Sequence, residues 1–306
     1  MESAQFIVTS SLFVGAALIL TFESFFRMLV VDTVNDAIKD KLWHFCLMNI
    51  SALIAEFTEP MMIVALAFCS DPDNFKSDCS NWFYVARPDC GSLCLNDYYA
   101  ISCYIADNIR TVFYIITKTF LIHLAYLRCK SIYSLYNSPK FKCFHVIIIG
   151  ARIIELILLA VVNGFDSLKC QGAYCNPKHP ECLFIPVVMN IREIIVHIFR
   201  LYYIISESIF YYHLWRMFLK TNIMNKKDKR IMKKKREIIY QIILFALDIL
   251  QLTAIGIYRI LRLYYKTNNY LHLETHRFAD ILSTGFTVFV MTRFGISMPK
   301  LVMNDD

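Results

Sequence analysis

Ionisable side chains interrupt the long apolar stretches of this 306-residue chain, and they are where its chemistry must lie. Glu23 and Arg27, Asp107 and Arg110, and Arg152 and Glu155 stand three or four residues apart, which puts opposite charges on one helix face. Glu56, Glu59, Lys118, Arg192, Glu193, Arg200, Glu207, Asp248, Arg262 and Arg293 add further charge to apolar surroundings. Two roles fit such residues: ion pairs that tie helices together, or the lining of a water-filled cavity. On the second role the candidate ligand-binding set is Glu56, Glu59, Asp107, Arg110, Arg192, Glu193, Gln251 and Arg259. Asp248, Gln251, Tyr258, Arg259 and Arg262 follow steps of roughly three and four residues, so part of one face is polar. The ligand this predicts is itself polar or charged.

The elements that must carry these residues are long. Apolar residues make up 57% of the chain and charged ones only 19%, against about 45–50% and about 25% in soluble domains. That composition predicts an all-α polytopic membrane protein. A spanning helix needs about 20 mostly apolar residues, and seven such runs are visible, at about 5–31, 42–69, 98–127, 144–165, 184–219, 238–265 and 278–298. Together they form one seven-helix transmembrane domain over residues 1–306. The start Met-Glu-Ser-Ala-Gln has no basic segment and no small-residue cleavage site behind the first run, so that run is expected to stay as a helix.

Lys and Arg collect on the cytoplasmic side of short loops. With the N-terminus outside, the inner segments 31–41, 128–142, 216–237 and 300–306 hold 17 Lys/Arg, and the outer segments 1–4, 70–98, 165–184 and 265–279 hold 6. The asymmetry predicts a multi-pass plasma-membrane protein with the N-terminus outside and the C-terminus inside. Cysteine usage agrees. Cys69, Cys79, Cys90, Cys94, Cys103, Cys170, Cys175 and Cys182 all lie in or beside segments assigned outside, where an oxidising compartment permits disulfides. Eight thiols allow 105 pairings, and spacing alone does not choose among them. The spacing Cys90-x3-Cys94 also suits a metal, an alternative that an extracellular position disfavours.

Seven helices, an outside N-terminus, cysteine-rich outer loops and basic inner loops resemble a G-protein-coupled receptor. Cys103 and Arg128 strengthen the resemblance: 25 residues apart, they sit about 37 Å from each other along a helix, at its outer and inner ends. In rhodopsin-like receptors such a cysteine bridges to the second outer loop, which implies that Cys103 pairs with Cys170, Cys175 or Cys182. Cys79, Cys90 and Cys94 in the first outer loop compete for it. The resemblance also implies an inner switch at Arg128, with Glu207 or Asp248 as its resting partner from another helix. Leu127 and Cys129 flank Arg128 where that family has an acid and an aromatic residue. Helix four lacks tryptophan, helix six lacks proline, and Pro299 arrives only at the end of helix seven. No lysine lies within the last span, which disfavours a retinal opsin.

The basic run 226–237 and the neighbouring segments 128–142 and 216–237 would offer a docking surface to a heterotrimeric G protein or another cytoplasmic partner. The same charge also suits anionic lipid. No aromatic residues interleave the run 226–237, so nucleic-acid binding is not expected. Cys129 and Cys143 lie where palmitoylation occurs. Two other function classes fit some of the same residues. A transporter or channel would use the same intramembrane charges as a path, although only Pro60 and Pro186 break or edge a span. A zinc-dependent hydrolase would use His272 and His276, whose i,i+4 spacing can chelate metal. That pair is similar to the H-x3-H pair of the adiponectin-receptor and alkaline-ceramidase group, but it precedes the last helix and has no assignable third ligand. The chain is accordingly expected to be a receptor and not an enzyme, with no cofactor and no resident metal.

Overall fold

The computed structural model describes residues 2–30, 36–69, 97–132, 138–168, 184–224, 239–240, 242–254, 257 and 279–293. Seven helices account for nearly all of them: α1 (Glu2–Val30), α2 (Asp36–Cys69), α3 (Asp97–Ile132), α4 (Pro139–Leu168), α5 (Phe184–Met224), α6 (Ile242–Ala254) and α7 (279–293). The described residues contain no strand. Long apolar runs favour this outcome, because a helix satisfies every backbone N–H and C=O within its own segment. The start of α4 is set locally. Ser138 caps it, its Oγ accepting from Phe141 N–H at 3.3 Å, and Pro139 stands at the first helical position, where no N–H is needed.

Four stretches are long and apolar enough to cross a bilayer: Ile7–Val30, Leu42–Val64, Pro139–Ala160 and Ile194–Tyr212. The chain is a membrane protein. Its outward faces are apolar stripes, such as Val146, Ile147, Ile153, Ile154 and Ile157 on α4 and Ile194, Ile198, Leu201 and Ile205 on α5. Its interior holds Glu56, Glu59, Arg110, Arg152, Glu155, Asp248 and many Ser and Thr. Apolar outside and polar inside is the arrangement that lipid selects.

The third expected span behaves differently from these four. At 36 residues α3 exceeds the required length, yet Asp107, Arg110 and Lys118 make it too charged to face lipid. It is instead a central helix against which α2, α4 and α5 all pack, most extensively α2. The described parts of α6 and α7 are shorter than a bilayer crossing and fall inside the expected 238–265 and 278–298.

The core is divided along the bundle. Met28, Met48, Ala52, Leu121, Ala125, Phe199, Tyr203, Val288 and Met291 join α1, α2, α3, α5 and α7. Tyr126, Phe210, Tyr211, Leu244, Phe245, Phe289 and Val290 join α3, α5, α6 and α7. Between helices in lipid, small residues and polar contacts replace the hydrophobic drive. Asn49 donates to Thr292 at 3.0 Å, and the hydroxyls of Ser51 and Thr117 share a bond of 2.9 Å. α1 and α7 meet at Gly285: a Cβ there would lie 3.0 Å from Ala17 Cα and 3.1 Å from Ala17 O.

Candidate functional site

Steps of three and four residues place Asp107, Arg110, Tyr114 and Lys118 on one face of α3. This stripe is the spine of a charged layer that crosses the bundle. At one end Arg110 donates through Nη2 to Asp107 Oδ1 (2.7 Å) and through Nη1 to Glu59 Oε1 of α2 (3.3 Å). One turn before Glu59, Glu56 Oε1 accepts from the Thr21 hydroxyl of α1 at 2.9 Å. Both glutamates are fully buried, and Glu56 Oε2 has no hydrogen-bond partner among the described residues. The Tyr114 hydroxyl, also without one, lies within electrostatic reach of Glu59, Glu56, Arg110 and Asp280.

Asp280 of α7 is the centre of the layer. Its Oδ2 lies 3.4 Å from Lys118 Nζ of α3, and its Oδ1 accepts from Arg200 Nη2 of α5 at 3.0 Å. The Lys118 ammonium also sits 5.8 Å from the centre of the Tyr114 ring. Asp280 was not among the candidates read from the sequence, although it lies inside the seventh expected span. A lone acid at the start of an apolar run reads as a flank, and only the convergence of α3 and α5 on it reveals its place.

At the far end, α4 and α5 contribute Arg152, Glu155 and Arg192. Arg152 Nη1 donates to Glu155 Oε2, and Arg192 Nε stands 3.4 Å from Glu155 Oε1. The Arg152 guanidinium stacks on Phe199 with its carbon 3.8 Å from the ring centre. The structure thus brings together Glu56, Glu59, Asp107 and Arg110 as one group, and Arg192 with Arg152 and Glu155 as another. Gln251 is half-buried on α6, apart from the bonds that build the layer. Glu193 lies on α5 with its side chain outside the described residues, and Arg259 and Arg262 lie outside them altogether. Glu23 and Arg27 form their pair (2.7 Å) on the exposed side of α1.

Of the expected switch residues, Asp248 and Glu207 have described side chains. Asp248, fully buried on α6, accepts from the Tyr203 hydroxyl of α5 at 3.2 Å and from the Thr287 hydroxyl of α7. Glu207 is buried on α5. Arg128 belongs to α3, but its side chain is outside the described residues. So are Cys79, Cys90, Cys94, Cys170, Cys175, Cys182, the side chain of Cys103, the basic run 226–237, His272 and His276. Cys46 and Cys143 are free thiols, Cys143 exposed at the start of α4.

A second cluster escaped sequence reasoning entirely. His44 of α2, His123 of α3 and His145 of α4 stack in succession, with ring centres 5.0 and 5.4 Å apart. His123 Nδ1 and His145 Nε2 share a bond of 3.1 Å, and the Tyr202 hydroxyl of α5 lies 3.4 Å from His145 Nδ1. Three isolated histidines in three separate runs carry no spacing signal. No group of three or more His, Cys, Asp and Glu among the described residues is placed to hold a metal ion. Compared with protein families, with curated proteins and with solved structures, the chain matches none.

Proposed function

We propose that this membrane protein is a G-protein-coupled-receptor-like receptor for a polar or charged extracellular ligand. The observation that carries the reading is the charged layer, to which α1, α2, α3, α4, α5 and α7 all contribute side chains. A ligand that competes for these ion pairs alters contacts on five helices at once, and Glu56 ties α1 to the same layer through Thr21. Such a layer couples binding to helix rearrangement, because a ligand shifts a two-state bundle only through contacts that differ between the states. The proposal includes seven spans, the N-terminus outside, and a plasma-membrane location, on the Lys/Arg asymmetry of the loops. In that orientation the layer lies in the outer and middle parts of the bundle, and 128–142 with 216–237 face the cytoplasm as the surface for a G protein or other partner. The outer cysteines would bridge to hold the loops above the layer.

The test is nucleotide exchange on a panel of purified heterotrimeric G proteins, with the chain reconstituted in lipid and small charged metabolites supplied. Ligand-dependent exchange, lost in Arg110→Gln at a temperature where that variant is still folded, supports the receptor. Absence of exchange across the panel, with a properly folded chain, overturns it.

Glu56 favours a second reading. A fully buried carboxyl in a span, with one oxygen lacking a hydrogen-bond partner among the described residues, is the kind of group that relays protons or coupling ions in transporters. Accumulation of labelled solute in sealed liposomes, abolished in Glu56→Gln, would decide for transport or a channel.

A further inference from the structure

We infer that Arg152 and Arg192, on either side of Glu155, form an oxyanion site between α4 and α5 that takes a carboxylate or phosphate group. The inference rests on the reading of the layer as a ligand site and names the chemistry of its ligand.

Two guanidinium groups converge here on one carboxylate. Arg152 engages Glu155 Oε2 and Arg192 faces Oε1, so both acid oxygens are taken. The trio keeps one net positive charge although its members are buried, Arg152 at 3% exposure, Arg192 at 7% and Glu155 at 1%. Arg200 lies within electrostatic reach of Arg152 and adds to the positive field. Arg152 Nε is a buried donor without a hydrogen-bond partner among the described residues, and Arg192 Nε has only the longer 3.4 Å contact to Glu155 Oε1. Phe199 covers one face of the Arg152 guanidinium at 3.8 Å and restrains its orientation. A buried positive excess with an unused donor is costly when empty. An oxyanion removes both defects, since its oxygens match the planar fork of arginine.

A carboxylate or phosphate can come from a soluble metabolite or from a lipid headgroup, and the experiment separates them. The full chain is placed in phosphatidylcholine nanodiscs, and the thermal midpoint is followed on addition of inorganic phosphate or succinate, with chloride holding ionic strength constant. A saturable rise in midpoint identifies a soluble oxyanion. A rise obtained only when phosphatidylglycerol replaces part of the lipid identifies a headgroup. In either case Arg192→Gln should weaken the response roughly tenfold or more in concentration, the worth of a charged hydrogen bond. Arg192→Lys should fall between, because it keeps the charge and loses the fork.

Glu155→Gln removes the competing carboxylate and should tighten binding, an effect opposite in sign to the loss expected if the trio only braces two helices. The site is overturned if none of the three probes moves the midpoint. It is equally overturned if Arg192→Gln responds like the parent, or if Glu155→Gln fails to tighten binding. Should Arg152→Gln fail to fold, the Arg192 and Glu155 variants carry the test. Oxyanion binding without nucleotide exchange overturns the receptor and leaves this site standing; exchange without any oxyanion response does the reverse.

Discussion

Arg110 shows how much a single buried charge decides. It satisfies Glu59 of another helix and Asp107 of its own, at 3.3 and 2.7 Å. Removing one partner of a buried ion pair leaves an uncompensated charge, typically at a cost of about 3–5 kcal/mol. Arg110→Gln should therefore lower stability by about that amount in thermal or denaturant unfolding of the purified protein. The double variant Arg110→Gln with Glu59→Gln should recover part of the loss, because the stranded acid is gone. Equal losses in the single and double variants would show that Glu59 is not the partner that matters. Arg128 is a second residue-scale question. If it works as an inner switch, Arg128→Lys and Arg128→Ala should both reach the cell surface and both signal abnormally, since lysine retains charge without the bidentate fork. Parent-like signalling from both would make Arg128 an anchor of the positive-inside kind only.

Helices meet in this protein through small and hydroxyl-bearing residues, and the α1–α7 contact is one example. Gly285 admits Ala17 so closely that a Cβ would stand 3.0 Å from the Ala17 backbone. Backbone cannot yield as a flexible side chain does, so Gly285→Ala should push the helices apart and destabilise by about 1–3 kcal/mol. Gly15 and Gly150 have open space where a Cβ would go. Gly150→Ala should therefore leave the unfolding midpoint unchanged or raise it slightly, by relieving the cost of glycine in a helix. A Gly285→Ala midpoint equal to that of Gly150→Ala would mean that α1 and α7 do not pack this closely in the membrane. Much of this scale was legible in the sequence. The apolar runs at 42–69, 98–127, 144–165 and 184–219 fall within helices α2 to α5, the run 5–31 matches α1 as far as Val30, and the pairs Glu23/Arg27, Asp107/Arg110 and Arg152/Glu155 form at the spacing that predicted them. The packing of α3 was not legible. Hydropathy scores a helix by its own residues, whereas the charges of α3 are tolerated because α2 and α7 supply partners for Arg110 and Lys118.

For the whole molecule, the arrangement of the loops across the bilayer is the decisive measurement. An epitope tag within 71–89 should be reached by antibody on intact cells, and one within 220–236 only after permeabilisation. This follows from the 17 Lys/Arg on one set of loops against 6 on the other. The reverse labelling pattern would place the basic loops outside and remove the surface on which a cytoplasmic partner could dock.

Composition and run length by themselves determined the class of this protein. A chain 57% apolar, in runs longer than any strand, has no stable alternative to helices in a membrane. Spacing within one helix also determined the local ion pairs, because residues three or four apart share a face whatever surrounds them. Which charges share a site was decided only by the tertiary structure. Asp280 joins Lys118 and Arg200 across separations of 162 and 80 residues, and His145 of α4 meets His123 of α3 and Tyr202 of α5. No periodicity in a sequence records such meetings. They depend on how helices rotate and tilt to bury their polar faces, and that is settled by the packing of the bundle as a whole.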